Sequence, residues 1–170
     1  MSLLKCSMIL IYLGFLSQHN YQINVALGGI ATQSSVFSNS FPADLAIDGN
    51  RGSNLVFQSC THTDTDYNPW WRVDLLAVYD ISSVIITNRW DVAPERINGA
   101  EIHIGNSLVN NGNNNPSSGY MPNHRPTIKT YTRTWKEDDT HTQIISVIGY
   151  LTLCEVEVYG VQGDNFVKSK

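Results

Sequence analysis

His62 is followed after a gap of twenty-six residues by Arg89, Asp91 comes after a gap of one, and Arg96 closes the set after a gap of four, giving His-x26-Arg-x-Asp-x4-Arg. Two guanidiniums offer rigid forks of N–H donors that suit hydroxyl and ring oxygens. The carboxylate of Asp91 can hold one fork in place, and a neutral imidazole at His62 supplies the acceptor that arginine lacks. None of the four is an activated nucleophile, so the chemistry is that of a clamp on a neutral sugar.

A second constellation lies upstream. Asp44-Leu45-Ala46-Ile47-Asp48-Gly49-Asn50-Arg51-Gly52-Ser53-Asn54, with Ser59 beyond it, is crowded with oxygen donors. Calcium takes about six to eight such oxygens, backbone carbonyls included, and a glycine permits the sharp turn that converges them. Asp-Gly-Asn also simply makes a turn, and the loop alone leaves both readings open. Glu155, next to Cys154, favours the ion: a bridge from Cys154 to Cys60 would bring its carboxylate beside Ser59.

The elements that must position these groups read as strands. Trp70–Leu75, Ile81–Thr87, Ala100–Ile104 and Ile144–Leu151 are short β-branched and aromatic runs, and Leu153–Tyr159 alternates with the period of a half-buried strand. Asn68-Pro69, Asn98-Gly99 and Gly105-Asn106 punctuate them. Asn110–Gly119 is expected to be a mobile polar loop without chemistry. No stretch sustains helical periodicity, and an all-β antiparallel sandwich or jelly roll follows.

The chain has 170 residues, room for one core, with a formal net charge of -4 and only 11 Lys plus Arg. That balance argues against nucleic acid and against polybasic membrane attachment. Residues 1–18, with Lys5 before the run Met8–Leu16, read as a secretory signal that is too short to span a bilayer. No membrane insertion is expected, and the protein is expected to be secreted and extracellular. Losing that segment removes Cys6 and leaves Cys60 and Cys154, read as one disulfide in an oxidising compartment. The domain is placed at residues 24–160 and a polar tail at 161–170.

At this point the residues resemble the F-type lectins, or fucolectins. The likeness runs from Asn24-Val25-Ala26 through Ala31–Ser34, Ala46–Asn50, Ser59-Cys60-Thr61-His62, Asn68–Leu75, Arg89-x-Asp91-x4-Arg96 and Gly99-Ala100-Glu101 to Leu153-Cys154-Glu155-Val156. The sugar motif joined to Asn-Pro-Trp-Trp and Cys-Glu-Val is more specific than any one piece. The resemblance implies a discoidin-like jelly-roll β-sandwich that binds terminal α-L-fucose on glycans through His62, Arg89 and Arg96, with Asp91 orienting. It implies a structural calcium held by side-chain oxygens of Asp48, Asn50, Ser59 and Glu155 and by carbonyls at Leu45 and Cys154. It also implies a Cys60–Cys154 disulfide and a homo-oligomer, a trimer in relatives, and suggests recognition of microbial or cell-surface carbohydrate in innate defence.

Some positions depart from the family. Val92-Ala93 stand where many members carry two adjacent cysteines beneath the sugar, and Leu55 and Val56 replace aromatics where the fucose methyl packs. Leu55, Val56 and Val92 are therefore the expected apolar contacts.

Two other function classes compete. A discoidin-type adhesion or phospholipid-binding module would bind liposomes indifferently to fucose. A glycan-processing enzyme would need Asp91 as its acid or base, yet Asp91 between arginines is expected to stay ionised, which suits an orienter. Asp64, Asp66 and Glu137-Asp138-Asp139 read as solvated, Trp70 and Trp71 as packing, and the remaining histidines lack zinc spacing.

Overall fold

A computed structural model describes residues 22–122, 128–132, 139–145 and 149–162. The signal expected at 1–18 and residues 163–170 of the expected tail lie outside the described residues. Among these residues eight strands are present: β1 Ile23–Asn24, β2 Ile30–Gln33, β3 Trp70–Thr87, β4 Glu101–Gly105, β5 Ser117–Tyr120, β6 Ile128–Thr132, β7 Asp139–Ile145 and β8 Glu155–Gln162. Only short 3-10 turns accompany them among the described residues.

The expected strands at Trp70–Leu75 and Ile81–Thr87 are one element. β3 runs for 18 residues and turns a corner where Leu76 takes a left-handed φ of +63°, its N–H caught by the Asp74 carboxylate at 2.8 Å. Before the corner, Trp70–Asp74 pairs with β2 on one side and β7 on the other, and β7 continues into β4 and β5. Beyond it, Ile81–Thr87 pairs with β8, Ser83–Thr87 with β6, and β8 with β1. A strand that changes sheets at a bend lets one hydrogen-bonded ladder wrap both faces of a core. The fold is an all-β jelly-roll sandwich.

The core between the layers is aliphatic, with Val73, Ile81, Val84, Ile86, Ile97, Ile102, Leu151, Val156 and Val158 buried around Trp71. Trp71 is fully buried, and its indole N–H reaches the Ala43 carbonyl at 2.9 Å, so its one polar atom is satisfied.

Other boundaries differ from the sequence reading. β7 begins at Asp139 rather than Ile144, because backbone pairing to β3 and β4 sets its extent, not an apolar run. β8 is not half-buried: Glu155, Val156, Glu157 and Val158 are all buried. Its second face is covered by the 48–52 loop, where Arg51 grips Glu157 with two bonds of 2.6 Å and Gly49 N–H donates to Glu155 Oε1 at 3.2 Å. β1 and β8 overrun the expected domain limits of 24 and 160 by one and two residues, since Ile23 pairs with Gly160 and Val161 and Gln162 still pair with β3. The polar loop at Asn110–Gly119 is built rather than loose. Asn115 is buried and bonds Ser107 through both its amide atoms at 2.9 Å, and β5 starts at Ser117.

Candidate functional site

The motif residues sit on three connections at one region of the sandwich. His62 is held by a two-stranded ribbon that lies outside the eight strands: Thr61 N–H donates to the Leu153 carbonyl at 2.7 Å and Thr63 N–H to the Leu151 carbonyl at 3.0 Å. In return Leu153 N–H and Leu151 N–H donate to the hydroxyls of Thr61 and Thr63 at 3.2 and 2.9 Å. Threonine side chains thus take the acceptor role that backbone carbonyls play in a sheet. The Cys60–Cys154 disulfide closes one end of the ribbon across a separation of 94 residues, and a two-way backbone pair between Asp66 and Gly149 closes the other.

That frame buries His62, leaving it 4% exposed. Its Nδ1 lies 2.6 Å from the Thr63 carbonyl, which can only accept, so Nδ1 carries the proton and Nε2 presents a lone pair. Arg96 Nη1 donates to that lone pair at 3.0 Å. Burial, then the positive charges of Arg96 and Arg89, hold the imidazole below its ordinary value, against the Thr63 carbonyl and Asp64, which favour the proton. The opposing carboxylate is Asp64.

Arg96 rides a 3-10 turn at Pro94–Ile97, anchored by fully buried Ile97 and by Asn88, whose amide donates to the Pro94 carbonyl at 2.8 Å. The turn is entered through Ala93 at a left-handed φ of +51°. Arg89 is buried and forked on Asp91, Nε to Oδ1 at 2.8 Å and Nη2 to Oδ2 at 2.9 Å. Those hydrogen bonds hold the Asp91 carboxyl below the usual carboxylate range, as expected of an orienter. Two of the five N–H donors of Arg89 are committed there, and the rest lie outside the pair.

Of the expected apolar contacts, Leu55 is half-buried and its N–H reaches Asp91 Oδ1 at 3.4 Å. Val56 and Val92 are exposed, as are Phe57 and Trp90 on the same two loops. Trp90 N–H joins those loops through the Ser53 carbonyl at 3.0 Å. Three aromatic residues were missed by the sequence reading. Phe37 lies 4.6 Å from the His62 ring centroid, Tyr150 at 5.3 Å and Phe41 at 6.1 Å. Nothing in their local sequence marks them, since only the ribbon brings Tyr150 there. Asp66, expected to be solvated, instead accepts from the hydroxyls of Ser34 and Ser35 at 2.6 and 2.5 Å.

The oxygen-rich loop meets Glu155 as the bridge requires. Glu155 is fully buried, its Oε2 has no partner among the described residues, and burial followed by the nearby Asp48 charge pushes its carboxyl up to about 8. Asn50 and buried Ser59 flank Gly52, where an added Cβ would come within 3.0 Å of Asn50 Oδ1 and 3.2 Å of Ser59 Oγ. Ser59 gives its proton to the Asn54 carbonyl at 2.8 Å, a bond that does not use its lone pairs. Leu45 lies in the 3-10 turn Ala43–Ala46, and Cys154 donates its N–H to the Thr87 carbonyl. Two facing carboxylates, one with an orphaned buried oxygen, amid neutral oxygens are what a hard cation neutralises, so the donor set fits calcium. Among the described residues no three His, Cys, Asp or Glu groups cluster as ligands for a metal ion of any kind, so a cation here would rest on neutral oxygens as much as on the two carboxylates.

Residues 45–147 match the model of a family described as a NedA-like, galactose-binding domain. Fucolectin-5 of Anguilla japonica is 48% identical over 153 residues, covering 81% of this chain and 76% of that protein. The chain belongs to the F-type lectin family. A crystal structure of an F-lectin from striped bass (Morone saxatilis) serum superposes with a TM-score of 0.75 at 46% identity, over 83% of this chain and 50% of that one. This F-type lectin thus spans half the length of the striped-bass chain. The lectin domain of lectinolysin, solved in complex with Lewis B antigen, matches at 26% identity with a TM-score of 0.71, over 81% of this chain and 96% of that one. The relatives named here are lectins and a lectin domain.

Proposed function

We propose that this F-type lectin binds terminal α-L-fucose on glycans through His62, Arg89 and Arg96. The observation that carries the reading is the convergence of a lone-pair acceptor at His62 Nε2 with two guanidiniums, one of them fixed by Asp91. The axial 4-hydroxyl of fucose donates to His62 Nε2 and accepts from Arg96 and Arg89. To admit it, Arg96 hands over the lone pair it occupies and turns the freed N–H onto the same oxygen. The neighbouring hydroxyl and ring oxygen take further arginine donors, and the methyl meets Leu55, Val56 and Val92. D-galactose offers a different hydroxyl arrangement and a polar C6, so it binds more weakly by ~1 to 3 kcal/mol.

Calcium belongs to the same proposal, with side-chain oxygens of Asp48, Asn50, Ser59 and Glu155 and carbonyls of Leu45 and Cys154 as its holders. When bound, the ion supplies positive charge that lets Glu155 and Asp48 stay ionised side by side. The chain's own part is to tie the 48–59 loop to β8, from which the sugar-site ribbon departs. Secretion, assembly into a homo-oligomer such as a trimer, and a role in innate recognition complete the reading, because single weak sites need multivalency to hold a cell surface. The names of the fucolectin relatives and of the Lewis B complex support the sugar assignment.

Exposed Val56, Phe57 and Trp90 favour one alternative, adhesion to a lipid surface. Calorimetry with L-fucose and D-galactose, a glycan array with and without chelator, and liposome binding with free fucose as competitor separate the two. Selective fucose binding supports the proposal. Liposome binding that fucose does not compete, with no response to the sugar itself, overturns it.

A further inference from the structure

We infer that Tyr150 is a positioning residue for Arg96, its ring face holding the guanidinium at the sugar site when His62 Nε2 is given up to a ligand hydroxyl. This rests on the fucose reading above. The Arg96 Cζ lies 4.6 Å from the Tyr150 ring centroid, within the range at which a cation is drawn to the electron-rich face of an aromatic ring. The same ring meets His62 at a centroid distance of 5.3 Å with an interplanar angle of 70°. Arg96 is therefore held by both the Nε2 lone pair and the ring.

The two grips respond differently to a ligand. A hydroxyl donating to Nε2 competes for the single lone pair that Arg96 Nη1 uses. The ring face uses no hydrogen-bonding capacity of the guanidinium, so it persists and keeps the fork oriented while its N–H groups turn to the sugar. Without it, the half-buried guanidinium would lose a second hold at the moment of binding, and the added side-chain freedom would be charged against affinity.

The placement of Tyr150 is over-determined by its neighbours. Leu151 exchanges bonds with Thr63 through its carbonyl and its N–H, and Gly149 pairs both ways with Asp66 at 3.1 Å. Tyr150 stands between these two anchors. Among the described residues its hydroxyl meets no hydrogen-bond partner, so the ring and not the phenol is the part under use.

The test is a ring series at position 150. Tyr150→Phe keeps the face, phenylalanines carrying one to three ring fluorines keep the shape while draining the face of negative charge, and Tyr150→Leu removes the ring. L-fucose affinity by calorimetry should stay within about twofold in Tyr150→Phe, then fall stepwise with fluorination to a loss of about three- to tenfold. Tyr150→Leu should lose at least as much. An affinity flat across the fluorinated set, or a full loss already in Tyr150→Phe, overturns the inference.

A ligand-free readout separates this from the fucose reading. The groups facing His62 are Arg96, Arg89, Asp64, the Thr63 carbonyl and the rings of Phe37, Phe41 and Tyr150. Fluorination weakens the hold on Arg96 and also changes the ring's direct contact with His62, so the series is repeated in Arg96→Met: the NMR titration midpoint of His62 should climb along the series as that cation loosens, by more than it does where the cation is gone. A climbing midpoint in a protein that binds no fucose keeps the positioning role and removes the sugar. An unmoved midpoint removes the positioning role whether or not fucose binds.

Discussion

Replacing Asp91 by asparagine tests whether the Arg89 fork is a built part of the site. The carboxylate accepts two charge-assisted bonds, at 2.8 and 2.9 Å, from a guanidinium whose side chain is 8% exposed, and is itself 14% exposed. In Asp91→Asn the charge is lost, and the amide can present only one oxygen to the two N–H groups. Two such bonds contribute about 3 kcal/mol at the low end for charged partners, and the surviving acceptor returns about 1, leaving a loss of ~2 kcal/mol. That is below the ~3 to 5 kcal/mol of breaking a fully buried pair, as residual solvent contact requires. At ~2 to 4 °C per kcal/mol for a domain of this size, Tm should fall by about 4 to 8 °C in differential scanning calorimetry near neutral pH. The pH dependence has a definite sign. The folded carboxyl titrates below its ordinary 3.8, so its stabilisation is full above that value and is lost as pH falls through the depressed one. The gap between wild type and Asp91→Asn should close over the same interval. Replacing both residues, Arg89→Met with Asp91→Leu, should cost less than the two single changes added together. A Tm for Asp91→Asn within about 1 °C of wild type, or a gap that does not narrow in acid, would refute the reasoning.

Fucose affinity should be constant from pH 8 down to about 6.5 and then weaken as His62 protonates below that value, because imidazolium has no lone pair to offer and repels Arg96; a flat calorimetric profile to pH 4.5 with the fold intact contradicts the acceptor role. Chelator should lower Tm as well as sugar binding, by about 3 kcal/mol where free calcium had stood at a hundred times its Kd. In chelator, Glu155→Gln should be at least as stable as wild type, because it removes a buried carboxyl that must either take up a proton or face the Asp48 charge, while with calcium it should be less stable; the same ordering in both buffers excludes the site. Cys60→Ala with Cys154→Ala should cost ~4 to 5 kcal/mol in the chain-entropy account for a span of 94 residues, read by urea unfolding.

The sugar motif was legible because its chemistry lies in residue types and a fixed spacing, and the Cys154-Glu155 pair because counting cysteines places a carboxylate beside Ser59. What escaped was set by pairing rather than by pattern. β2, β5 and β6 are short segments that gain strand geometry only from a neighbour's open backbone groups. The corner in β3 falls at Leu76, a residue type that gives no sign of a left-handed φ. Glu155 and Glu157 look solvent-facing by alternation and are buried because Arg51 and Gly49 come from a hundred residues away to meet them. Tyr150 reaches His62 through threonine hydroxyls acting as strand acceptors, and Phe37 through its own N–H on the His62 carbonyl at 2.9 Å, contacts that no periodicity records.

The bridged ribbon also changes what a broken backbone would mean. The exposed stretch Leu108–Asn111 lies between Cys60 and Cys154, so a protease cut there divides the chain into a piece bearing His62, Arg89 and Arg96 and a piece bearing Tyr150 and Glu155. The disulfide keeps the two covalently joined, and the sheet pairings of β3 with β7 and β8 hold them in register. A nicked molecule would remain whole until a reductant reached Cys60–Cys154, so the lifetime of the site depends on two independent insults rather than on either alone.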